Sequence, residues 1–65
     1  MLLEFRSIKV EDSMYISYYS TPVLIIESDG TVLVQPGANY NLESKLKDFL
    51  KSEGIYYKPF EIPRS

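Results

Sequence analysis

Cysteine and histidine are both missing from this chain of 65 residues. Without cysteine there is no disulfide staple and no thiolate metal site. Without histidine the commonest zinc ligand and the commonest general base are gone. A long apolar run is missing too. Met1 to Phe5 is a short apolar stretch broken by Glu4, far below the ~20 residues of a spanning helix, and it carries no signal-peptide pattern. The expected location is the cytoplasm. Charge of one sign is also scarce. Nine acidic and seven basic residues leave a formal net charge of −2. Arg6, Lys9 and Lys58 are too few and scattered to track a phosphate backbone, which argues against nucleic acid as a partner.

These absences leave little for catalysis. Ser44 and Lys45 are sequence neighbours, so on a helix they do not face each other. Glu27 and Asp29 share strand parity and could offer oxygen to a hard cation. A dedicated calcium loop needs many more ligands, so Asp29 reads as a turn residue and Glu27 as a solubilising strand residue. The chain is expected to be no enzyme and to hold no metal or cofactor.

A domain this short buries only about 60% of the surface its unfolded chain exposes. Its own core contributes about 3–5 kcal/mol at most. With no staple available, self-association or docking on another molecule is expected, and a homodimer is the simplest form of it.

What is present centres on Thr21 to Gln35. Two β-branched runs flank Asp29-Gly30, a strong local hairpin signal. The pair predicts a two-residue turn, with glycine at positive φ. Val23 to Ile26 is apolar at four successive positions. Val23 and Ile25 point one way, Leu24 and Ile26 the other. A strand apolar on both sides is covered on both sides. One helix covers one side; the C-terminal tail or a second copy must supply the other.

Upstream, Leu2 to Val10 reads as a strand with a phase error. Leu3 and Phe5 share one parity, Ile8 and Val10 the other. A bulge near Arg6-Ser7 would correct it, and a frayed terminus is the alternative. Glu11-Asp12-Ser13 joins this strand to the next. There Met14, Ile16 and Tyr18 should face the helix, while Tyr15, Ser17 and Tyr19 form an outward stripe. Thr21-Pro22 lacks the glycine or asparagine of a tight reversal. It predicts one long strand bent at the proline, with a tight turn as the alternative. Pro36-Gly37 fits a type II turn.

Asn41 to Glu53 is the predicted helix, capped by Asn41 or by Asn39. Leu42, Leu46, Phe49 and Leu50 form its apolar stripe. Glu43 precedes Lys47 by four residues in the favourable order. Gly54 should stop the helix in the left-handed region, with Ile55 packing back on Leu50. Ile55-Tyr56-Tyr57 has strand character. Pro59 and Pro63 keep residues 58–65 extended. Phe60 and Ile62 on that tail should lie along the body or along a partner.

The six tyrosines, Tyr15, Tyr18, Tyr19, Tyr40, Tyr56 and Tyr57, suit half-buried strands, protein interfaces or stacking on nucleotides. Tyr18-Tyr19-Ser20-Thr21-Pro22-Val23, then Asp29-Gly30-Thr31-Val32, then Pro36-Gly37-Ala38 and the helix after it make a further pattern. It is similar to short uncharacterised proteins of bacteriophages and other mobile elements, over residues 16–50. After Gly37 the expected Thr-rich helix start is replaced by Asn39-Tyr40-Asn41-Leu42. No site residue is carried over from that group. The resemblance implies a compact accessory protein that acts by binding, for which inhibition of a host enzyme or defence protein would fit.

The sequence therefore predicts one α+β domain over residues 1–65. An antiparallel sheet of about four strands, in the order β-β-β-β-α with a short C-terminal strand or extended tail, carries one helix on one face. The expected function is non-enzymatic protein binding as a homodimer, with Tyr15, Ser17, Tyr19, Leu24, Ile26, Tyr56, Tyr57 and Phe60 as interface candidates. The alternative is a nucleotide-sequestering protein that stacks its ligand on tyrosine.

Overall fold

A computed structural model describes residues 4–64 of the chain. The strands are β1 (Phe5–Val10), β2 (Ser13–Tyr18), β3 (Thr21–Ile26) and β4 (Val32–Val34). A 3-10 turn at Tyr40–Leu42 leads into the helix α1 (Glu43–Ser52), and an extended tail follows. The sheet is antiparallel, with strand order β1-β2-β3-β4. This is the small α+β fold that the periodicities predict. The tail adds no strand to it.

The phase error lies elsewhere than expected. β1 pairs with β2 from Phe5↔Tyr18 to Val10↔Ser13 without a shift, so no bulge sits at Arg6-Ser7. Leu2 and Leu3 lie outside the described residues. The bulge is in β3: Ile16 pairs with Leu24, but Ser17 pairs with Pro22, which leaves Val23 as the extra residue. A bulge presents two successive residues where a regular strand presents one. Val23 and Leu24 are accordingly both fully buried in one core, with Ile26. Only Ile25 points to the opposite face, where it is half-buried. The four-residue apolar run thus needs far less outside cover than a regular strand would.

The loops differ from expectation in related ways. β2 and β3 are two strands of a tight hairpin, not one bent strand. The turn is Tyr19-Ser20, at φ 47° and 70°. Two positive φ values are what a two-residue hairpin demands, and here no glycine supplies them. Pro22 sits beside the bulge, past the point where β4 stops pairing. The β3–β4 loop holds three residues, Ser28-Asp29-Gly30, not two. The Glu27 carbonyl accepts from the Gly30 amide at 2.9 Å, and the Glu27 amide donates to Thr31 O at 2.8 Å. Gly30 takes φ 93°. This is a type I turn followed by a left-handed residue, the usual three-residue hairpin loop.

At Gln35-Pro36-Gly37-Ala38 the Ala38 amide donates to Gln35 O at 2.9 Å. Gly37 is outside the left-handed region, so the turn is not type II. Glycine is needed there for space. A Cβ would stand 2.6 Å from Thr21 Cγ2 and 2.9 Å from the Pro22 carbonyl.

Asn39 is the cap. Its Oδ1 accepts from the Asn41 amide at 2.9 Å and starts the 3-10 turn. Leu46 and Leu50 are fully buried, and Leu42 and Phe49 pack against the same core. The helix ends as the sequence predicts. Gly54 adopts φ 71°, its amide donates to Lys51 O at 3.1 Å, and the Ile55 amide donates to Leu50 O at 2.9 Å. These paired bonds satisfy the last carbonyls of the helix.

The tail then runs back along the body. The Lys58 amide donates to Gly30 O at 2.9 Å. Phe60 and Ile62 are buried in the core, and the Ile62 amide donates to Glu43 Oε1 at 2.6 Å. The core is therefore closed by the inner sheet face, α1 and the tail.

Candidate interaction face

Strand register sorts side chains between two faces. The inner rows are Ser7-Ile16-Leu24-Val34 and Lys9-Met14-Ile26-Val32. Ile16, Leu24 and Ile26 are buried there, with Met14, Val32 and Val34 packed on them. The outer face carries a different row. Ile8 pairs with Tyr15, Tyr15 with Ile25, and Ile25 with Leu33. This apolar line crosses all four strands on the side without a helix. Ile8 is 54% exposed, Tyr15 39% and Leu33 43%, and Val10 beside them is 49% exposed. Single exposed apolar residues are ordinary, whereas these are neighbours in register and form one continuous apolar line.

The structure divides the expected interface residues. Tyr15 and Ser17 lie on the outer face as predicted. Tyr19 is 58% exposed at the β2–β3 turn, with its ring edge-on to Tyr18 at 4.7 Å. Leu24, Ile26 and Phe60 are buried in the protomer's own core, so they are corrected from surface to core. Register accounts for the first two, because Leu24 pairs with Ile16 and Ile26 with Met14 on the inner face, and the bulge turns Val23 to the same side. The tail accounts for Phe60, whose ring meets Tyr57 at 5.6 Å and has Lys47 Nζ 5.4 Å above it. Tyr57 is likewise packed against the core. Tyr56 is exposed at one end of the sheet, and its ring occupies the space where a Cβ at Gly30 would stand.

Ile8, Val10, Ile25 and Leu33 are the members that the sequence reading passed over. The signal was present. Ile8 and Val10 oppose Phe5 in parity, and Leu33 opposes Val32 and Val34. Forcing Ile8 and Val10 into the core by a bulge in β1 hid it.

Among the described residues the ion pairs lie away from this face, one on α1 and one between the β3–β4 loop and the tail. Asp29 Oδ1 accepts from the Thr31 amide at 2.9 Å, and Oδ2 is 3.5 Å from Lys58 Nζ. The backbone hydrogen bond from Thr31, helped by Lys58, holds the Asp29 carboxyl below its ordinary value. Glu43 Oε2 is 3.5 Å from Lys47 Nζ, the pairing predicted for positions four apart. The Ile62 amide, with Lys47 second, lowers the Glu43 carboxyl. The six tyrosines are dispersed over the outer face, the inner face, a turn, the 3-10 segment and the tail.

No family model, curated protein or solved structure matches the chain. Among the described residues, no helix is long and apolar enough to cross a membrane.

Proposed function

We propose that this chain is a non-catalytic protein-binding module that works as a homodimer through the helix-free face of its sheet. One observation carries the reading: the apolar line Ile8-Tyr15-Ile25-Leu33, exposed at Ile8, Tyr15 and Leu33, runs across all four strands. Apolar area removed from water contributes roughly 25 cal/mol per Å², and a rigid sheet presents that area without ordering a loop first. Tyr15 at the middle supplies a large ring with a polar tip, the kind of side chain that interfaces concentrate. The acidic balance and the scattered basic residues favour a protein surface over a nucleic acid. The likeness to mobile-element proteins favours a host protein as the further partner, with inhibition as the outcome of binding.

Sedimentation velocity over a range of concentrations tests it. Self-association that weakens in Tyr15→Ala and Leu33→Glu, with far-UV circular dichroism unchanged, supports the face. A strict monomer at every concentration, in the parent and in both variants alike, counts against it.

A further inference from the structure

The homodimer reading leaves open how two copies sit on each other's outer face. Two charges that flank the apolar line bear on it. Arg6 lies on β1 opposite Ser17, two positions from Tyr15 along β2. Glu27 follows Ile25 by two positions, and Ile25 is the partner of Tyr15. The Glu27 amide continues the ladder by donating to Thr31 O at 2.8 Å, so its side chain shares the face of Ile25. The two displacements run in opposite directions. Arg6 is on the Ser17 side of Tyr15 and Glu27 on the Ser13 side, which makes Tyr15 the midpoint between them. Arg6 and Glu27 stand two strands and four positions apart, roughly 17 Å, too far to pair within one chain. Both are exposed, and the ion pairs among the described residues involve neither. Glu4, Glu11 and Asp12 lie beyond the ends of the β1–β2 ladder, and Lys9 is on the inner face.

Two sheets packed face to face are exchanged by a two-fold axis that lies between them. An axis along the apolar line sets Arg6 over Val10 of the second copy and gives Glu27 no opposite charge. An axis along the strands carries Arg6 over β3 or β4 at the level of Pro22, again away from Glu27. An axis through Tyr15, perpendicular to the line from Arg6 to Glu27, exchanges the two positions. We infer that two copies stack through the helix-free face about this third axis, with Tyr15 over Tyr15 at the centre and Arg6 of each copy against Glu27 of the other; this rests on the homodimer reading above. The two apolar lines cross at Tyr15, and the strands of the two sheets are steeply crossed, as in orthogonal sheet packings. The contact is isologous, so the ion pair forms twice. Charges at the border of an apolar contact fix register and partner more than they add affinity.

Charge reversal in the full chain tests the pairing. Arg6→Glu sets acid against acid at both contacts, and Glu27→Arg sets base against base. Each alone should raise the dimer dissociation constant about tenfold or more. An equimolar mixture of the two variants should bring it back to the parent value, because each reversed charge then meets its opposite in the other chain. The double reversal, Arg6→Glu with Glu27→Arg in one chain, should also dimerise like the parent. It carries both substitutions and so controls for folding. Sedimentation equilibrium reads the constants, and far-UV circular dichroism checks the fold of each variant. A parent dimer whose constant ignores both reversals, or whose reversed variants do not recover on mixing, overturns the Arg6–Glu27 pairing and leaves the homodimer standing. A monomer at all concentrations overturns both.

Discussion

Ser20 is an L-residue held at φ 70°, with Tyr19 before it at φ 47°. The left-handed region costs a residue with a Cβ roughly 1–2 kcal/mol. Ser20→Gly should therefore stabilise the protein by about 0.5–1 kcal/mol after the extra flexibility of the unfolded chain is subtracted. Urea denaturation measures it, and a loss of stability would show that Ser20 makes compensating contacts. Gly37 gives the opposite sign. Its backbone suits other residues, but a Cβ would press on Thr21 and the Pro22 carbonyl. The carbonyl cannot move without disturbing β3, so Gly37→Ala should cost about 1–3 kcal/mol by overpacking. A shift under 0.5 kcal/mol would mean that the turn relaxes freely. Glycine in the sequence signals a turn at both Gly30 and Gly37, but only the structure separates a glycine needed for φ from one needed for room.

Among the elements, the tail is the one whose hold depends on titrating groups. Its hydrogen bond to Glu43 and its ion pair with Asp29 both use carboxylates with lowered pKa. A carboxyl depressed in the folded state contributes stability in full above its unfolded value, about 4 to 4.5, and loses it as pH falls through the folded value. Protection of the Ile62 amide should therefore drop in acid below that range, and Glu43→Gln should remove most of the pH dependence. Hydrogen exchange read by NMR is the check; protection that ignores pH in the parent would exclude the carboxylate as the latch. The helix depends instead on burial. Leu50 is fully enclosed, so Leu50→Ala should cost about 2–5 kcal/mol, enough to unfold much of so small a domain. The helical stripe, the Gly54 stop and the four strands were legible because each rests on local periodicity or on one residue's φ preference. The β3 bulge was not. Val-Leu-Ile-Ile has no internal mark of where an extra residue sits, and only pairing with β2 decides it. The Tyr19-Ser20 turn was hidden for a similar reason, because tertiary pairing holds two non-glycine residues where local preference would not put them.

At the scale of the whole molecule, the protomer closes its own core. Its radius of gyration is 10.8 Å, close to the roughly 11 Å expected of a compact chain of this length. Val23, Leu24 and Ile26 are enclosed without help. A second copy is therefore not required to complete the interior; what it would cover is the outer face. This separates folding from association. A residue of the inner rows should change stability, whereas a residue of the outer row should change association alone. Tyr15 was legible as an outward residue from strand parity, while Leu33 emerged only with the β3–β4 register. Replacing Tyr15 by Ala removes a half-exposed ring from the middle of the face and leaves Ile16 and Met14 in place behind it. The expected result is a melting temperature within a few degrees of the parent, since substitutions at exposed positions stay near ±0.5 kcal/mol. The dimer dissociation constant should rise about tenfold or more, equivalent to roughly 1.4 kcal/mol. Thermal denaturation and sedimentation equilibrium on the same samples read the two quantities separately. If Tyr15→Ala lowers the melting temperature sharply while dissociation is unchanged, Tyr15 supports the fold, and the outer row is no interface.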